Sequence, residues 1–516
     1  MRRGLLLSAS LLALWASACS GGGNTITPPP PPPPGPFSNQ SLSGQYAFSM
    51  TGSEIASSNL TASNIFTRVG SFTADGKGNI TAGVEDINLA TGANPFTFTS
   101  GSYTVSGDGR GMLTLVDSSG TLTFSITLVS SSNGYMIAMP TDGLSTASGS
   151  FTKQDSSAFL VSGIAGNYAL DLSGVDPTGA AESVVGQFFA NSAGGFTTGF
   201  ADDNDGAVVV NGGNQPITGT YAADGLHPSD LANFGRGVFS LGGIQGVFYI
   251  VGHNQVKFME TTSGGFLAGD ALSQSNIPTT TAGISGGFVY VMGGSGVGGP
   301  LTRAGRFTAT GGNLSNILVD NNNAGTLLSL SASTGTYTID SGGSGRGTIT
   351  YSVPGQKNAF TYVFYLISPT QAVVQDQSVG IVADGSLLVQ PSTTISDSSL
   401  AGKYAINWSG LSSTNVTSDE EDLVGQFTLS SASLTGAVDF NEFASGKQFT
   451  DVALTGTLKL SADPTGHNTF TVNLATNPAN NGITFFAYVA NNNTVLLMGS
   501  QGSVRITGGV LTPQTQ

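Results

Sequence analysis

The sequence says the same thing four times, and this limits the available folds more than any other feature. The segment "LSGQYAFSM" (42–50) returns as "IAGNYALDL" (164–172), "ISGGFVYVM" (284–292) and "LAGKYAINW" (400–408). After each comes a variable loop and then "VGSFTA", "VGQFFA", "AGRFTA" or "VGQFTL". An Asp-x-Asn segment, a Gly-led strand, a glycine turn and an apolar hairpin follow. Each copy closes on a short stretch ending in Gln154, Gln274, Gln390 or Gln514. A period of about 118 residues is long enough for every copy to bury its own core. The spacing predicts four modules at 42–158, 159–280, 281–396 and 397–516.

Each copy contains about eight short strands at the spacing of all-β sandwiches and barrels. Segments such as "SFTADG" and "GSYTV" alternate apolar and polar residues, as half-buried strands do. The hairpin segments "VFYLI" and "FFAYV" are apolar throughout, which places them centrally or beneath a neighbouring module. Short turns between sequential strands favour antiparallel, up-and-down connectivity. The expected class is therefore all-β, with four tandem antiparallel modules, each an up-and-down barrel or a two-sheet sandwich. A pair of propeller blades per copy is the other arrangement. Composition agrees: 74 glycines and only 9% charged residues, yet 39% hydrophobic residues, too many for a disordered chain.

Arg2 and Arg3 precede the apolar run "GLLLSASLLALW" and the small residues "ASAC", the pattern of a signal peptide over 1–18. The run is too short to span a bilayer as a helix. "ASAC" with Ser20 resembles the lipobox of bacterial lipoproteins, with Ala16 where Leu is commonest. The resemblance implies that Cys19, the single cysteine, is lipidated and becomes the first mature residue. A Gly/Pro-rich tether (19–41) follows, in which seven consecutive prolines reach about 20 Å. Removing the signal peptide shifts the net charge from −15 to −17. So acidic a chain is repelled by nucleic acid, and its attachment to membrane must come from acyl chains. The expected location is the cell envelope, anchored to the outer membrane on its periplasmic or outer side. The repeat unit, with phrases such as "GSFTADGKGNITAGVEDIN" and "GSYTVSGDGRG", also resembles modules of uncharacterised glycine-rich lipoproteins of environmental bacteria. That resemblance covers nearly all of the mature chain and implies an envelope location without an activity.

The recurring polar residues are the candidate sites. Asp86/Asn88, Asp202/Asn204, Asp320/Asn322 and Asp439/Asn441 occupy one position in the four copies. Carboxylate and amide oxygens suit Ca²⁺, and Asp203 and Asp205 make Asp202's neighbourhood the richest candidate. It is not an EF-hand loop: Gly206 at the glycine position puts Ala201 first and Gly212 twelfth. The competing expectation is turn chemistry, since Asp and Asn bond their own backbone at strand ends. Arg110, Arg236 and Arg346 recur in the glycine turn, and pairing each with the Asp of its own copy would lock strand order. Copy four has His467 there instead.

Gly294, Gly296 and Gly299 form a G-x-G-x-x-G that leads into a strand, so a dinucleotide site is not expected. The three histidines (His227, His253, His467) occupy unrelated places, and no catalytic or zinc spacing stands out. The run "SDEEDL" (418–423) reads as a solvated loop, and Trp408 as core. The expectation is a non-enzymatic display protein for binding or adhesion to a glycan or protein. Its contact surface would be the variable loop between the first two strands. No cofactor is expected beyond the calcium option. A hollow-barrel carrier of small molecules and a glycan-binding or glycan-active protein are the alternatives.

Overall fold

The computed structural model describes residues 36–55, 63–141, 143–391, 395–412, 420–442, 447–461, 467–475, 482–502 and 505–515. Each module is a closed, antiparallel eight-stranded barrel, and the four follow one another along the chain. Module 3 shows the plan most simply. Its strands Gly286–Gly296, Gly299–Thr310, Asn313–Asn323, Thr326–Ile339, Arg346–Tyr351, Phe360–Ser368, Gln371–Asp376 and Val382–Val389 pair in sequence order, and the last pairs back to the first. That closing pair decides for the barrel over the sandwich and the propeller. In module 1 the fourth strand is broken into Gly92–Thr97 and Ser100–Val105. In module 2 it is reduced to short pieces before the helix Asp230–Phe234.

Alternation along the first strand explains both the core and the outer contacts. Tyr46, Phe48 and Met50, and likewise Phe288, Tyr290 and Met292, point inward and are buried. Trp408 does the same in module 4, with its ring centroid 5.0 Å from that of Phe485. Aromatic pairs of this kind add about 0.5–1.5 kcal/mol each beyond the area they bury. In module 3 the core is closely filled: the void among Phe288, Phe307 and Phe364 is about 10 Å³, at most the space of one water molecule.

The outward residues bury themselves against the next barrel. Ala47, Val69 and Val84 of module 1 meet Val247, Tyr249 and Val251 of module 2. Ala169 and Val185 meet Val363 and Tyr365 of module 3, and Val289 and Ala304 meet Tyr488 and Leu496 of module 4. Val424 of module 4 then packs on Ile137 and Met139 of module 1. The chain is therefore a closed ring of four barrels. The all-apolar hairpins have this cause: one face fills their own barrel and the other covers the preceding module.

Candidate functional site

The recurring Asp and Asn do not cap turns. Asp86 and Asn88 lie inside the strand Asn79–Leu89, buried, with their side chains directed out of the barrel into module 2. Nor does the Asp pair with the Arg of its own copy. Arg236 of module 2 donates from Nε and Nη2 to the two Asp86 oxygens, both at 2.7 Å, and Tyr249 donates at 2.7 Å. Asp202 is held the same way by Arg346 (2.7 and 2.8 Å) and Tyr365 (2.8 Å) of module 3. Asp320 accepts from Tyr488 of module 4 and faces His467 at 3.4 Å. Asp439 faces Arg110 of module 1 at 3.9 Å, which closes the cycle. His467 thus replaces the arginine in the lock of Asp320, whereas Asp439 still has an arginine opposite it.

Two further residues complete each seam. Asn88 donates to the carbonyls of Glu260 and Gly265, Asn204 to Asp376 and Ile381, Asn322 to Gly502 and Arg505, and Asn441 to Ala138 and Ser145. The closing glutamines serve the other end: Gln154 donates to the carbonyls of Phe234 and Ile250, Gln274 to Ser344 and Leu366, and Gln514 to Asp108 and Leu128. Gln390 reaches the Val489 carbonyl at 3.4 Å. The glycines before Arg110 and Arg346 make room for this amide. Gly109 and Gly345 hold φ of +90° and +77°, and a Cβ at either would stand 2.8 Å from the Nε2 of Gln514 or Gln274.

The electrostatics differ from seam to seam. Burial alone would raise Asp202, but Arg346, Tyr365 and Gln377 outweigh it and hold the carboxyl below its usual range. At Asp320 burial wins and the carboxyl is raised, although Ser329 and Tyr488 bond to it. Asp439 is raised by burial as well, against the Asp451 N–H and Arg110. Two more acidic pairs lie in seams. Burial pushes Asp384 up to about 6 and Asp171, bonded to it across the second seam, well above the usual range. In the closing seam burial brings Asp422 up to about 7; it accepts from Thr146 of module 1, and Glu420 beside it is raised well above its normal value.

The structure separates the candidate calcium ligands. Asp202 is committed to Arg346, while Asp203, its neighbour in an extended strand, projects to the opposite side with Asp205. Burial and Asp205 raise Asp203 to about 6, a sign of uncompensated carboxylates. Among the described residues no three His, Cys, Asp or Glu side chains are grouped to hold a metal ion. Cys19 and the proline tether lie outside the described residues.

The two ends of every barrel are unlike. Because Asn88 and Gln154 tie opposite ends of the first seam, and their counterparts do so at the other three, all four barrels stand side by side in the same sense. Linkers and glycine turns gather on one face of the ring. Phe37, the last tether-side residue with a core contact, sits there, its N–H 3.4 Å from the Gly107 carbonyl. The described loops between first and second strands, those of modules 2 and 3, lie on the other face. Val208, Val297 and Val379 are exposed there.

No protein-family model matches the chain, and no curated protein matches it. Among solved structures it is similar to a double mutant of transferrin binding protein B from Haemophilus parasuis Hp5. The two are 10% identical over 74% of this chain and 82% of that one, with a TM-score of 0.17. Intact Ap-TbpB, with N and C lobes, is 9% identical over 90% of this chain and 75% of that chain, with a TM-score of 0.15.

Proposed function

We propose that this chain is a non-enzymatic, lipid-anchored protein of the cell envelope that displays a rigid ring of barrels, with its loop face as the binding surface. The observation that carries this reading is the polarity of the ring. The tether meets the core at Phe37 on the linker face, so the loop face is directed away from the anchor. In this reading Cys19 bears the lipid, and the partner is a glycan or protein outside the anchoring membrane. The recurring acids and arginines, the first candidates for chemistry, are occupied in holding barrels together, which favours binding over catalysis. Rigid presentation also lowers the ordering cost of a multivalent contact. Two measurements test it. Radiolabelled palmitate should enter the wild-type chain and not Cys19→Ser. A membrane-impermeant maleimide should label the Val297→Cys variant on intact cells. A variant that stays unlabelled on intact cells and reacts only after lysis would reverse the proposed display.

A further inference from the structure

The four barrels differ at their loop-face mouths. At one inward-facing pair of positions stand Arg68 and Ile87 in module 1, Val184 and Asp203 in module 2, Arg303 and Asn321 in module 3, and Leu423 and Phe440 in module 4. Above Arg303 opens a cavity of about 480 Å³, within the range of roughly 300–1,000 Å³ typical of small-ligand sites. Its wall is built by a loop, 352–359, that joins Arg346–Tyr351 to Phe360–Ser368. Modules 1 and 2 have only tight turns there, at Asp117–Gly120 and Gly242–Gly243.

The lining chemistry is specific. On the floor the Arg303 guanidinium pairs with buried Asp376, lies 4.9 Å from the Phe360 ring centroid and donates from Nε to Asn321 at 3.2 Å. Its charge is thereby compensated. Amides ring the space: Asn323, whose buried Oδ1 has no protein partner, with Gln356 and Asn358. Val297 and Val379 flank the rim, 71% and 75% exposed. Lys357 stands exposed in the loop and makes no ion pair among the described residues. Amides that can match hydroxyls, apolar rim groups that can lie against C–H faces, and an exposed cation in a strongly acidic protein form a coherent set.

We infer that the mouth of barrel 3 binds an acidic saccharide, with Lys357 on the uronate carboxylate and Gln356, Asn358 and Asn323 on the hydroxyls. This rests on the reading of the loop face as the binding face, and gives it a ligand class. The test uses the full mature chain carrying Cys19→Ser and tetragalacturonate as probe, followed by calorimetry and by NMR titration. Tetragalacturonate should bind and maltotetraose should not. Lys357→Gln should weaken binding about tenfold, the worth of one charge-assisted contact, and raising the salt should weaken the wild type. The double variant Gln356→Ala/Asn358→Ala should lose binding, while Asp203→Asn at the mouth of barrel 2 should leave it unchanged. Absence of binding, equal binding of maltotetraose, or indifference to Lys357→Gln would overturn the assignment. Labelling of Val297→Cys on cells would still stand, so failure here is distinguishable from failure of the display reading.

Discussion

The first seam and the closing seam use the same residues to different effect. Between modules 1 and 2 the carboxylate of Asp86 takes two bonds from Arg236 and one from Tyr249, all buried. Between modules 4 and 1 the counterpart arginine is divided: Arg110 donates to Asp108 at 2.9 Å and to Asp451 at 2.8 Å, and Asp439 is left at 3.9 Å. The tyrosine position holds Thr127, which pairs with Arg110 as Tyr249 does with Arg236. The apolar patch is also smaller, and Tyr135 and Asn407 stand where the other has Lys257 bonded to Ser49. The lesson is that the repeated lock is fully built in the first two seams and relaxed in the other two, by His467 in the third and by the divided Arg110 where the ring closes.

The largest expected effect breaks the first lock. Asp86→Ala leaves the buried phenol of Tyr249 without its acceptor and Arg236 with Asp224 alone, and should cost about 3 kcal/mol in denaturant unfolding. Asp439→Ala should cost about 1 kcal/mol or less, because its arginine keeps two other carboxylates. Equal losses would erase the contrast. Next, Asn88→Ala and Asn441→Ala should be alike, each about 1–3 kcal/mol, since both strand two backbone carbonyls. A large difference between them would show that the seams diverge beyond the Asp–Arg pair.

The pH response should be sharper in the closing seam. Asp422 has an ordinary value of 3.8 and is raised to about 7 in the ring, so the folded state holds its proton longer than the unfolded one. Its stabilising contribution is whole below 3.8 and is lost as pH rises to about 7. Asp202 is lowered, and its contribution is lost instead as pH falls below the ordinary range. Asp422→Asn should therefore flatten the decline in stability between about pH 4 and 7, and Asp202→Asn should not. The smallest effect is expected at Glu182, raised to about 8 by burial and by Asp203 and Asp205. Glu182→Gln should stabilise by no more than about 1 kcal/mol, the gain growing between about pH 4.5 and 8 and staying constant above.

Much of this was legible in the sequence. The period gave four modules, alternation gave the strands, and the doubly apolar hairpins pointed to neighbouring modules. The turn reading of Asp86 and Asn88 and the pairing within a copy were misplaced, because residues 150 apart, Asp86 and Arg236, lie closer in the ring than their own copy's pair. A signal was present nonetheless. The arginine is missing only from copy four and the tyrosine only from copy one, while the Asp is kept throughout. Those gaps make sense once each Asp looks to the following copy. The mouth of barrel 3 was less visible, since the loop 352–359 carries no periodic mark.

The central claim is that module 4 returns to module 1. Asn407 of the first and Ser148 of the second are in side-chain contact at 2.9 Å. In a chain carrying Cys19→Ser, the pair Asn407→Cys and Ser148→Cys should react with a short bismaleimide to give an internally crosslinked monomer, detected by its shifted gel mobility and its linked peptides. Crosslinks only between separate chains, or none, would mean that the ring is open.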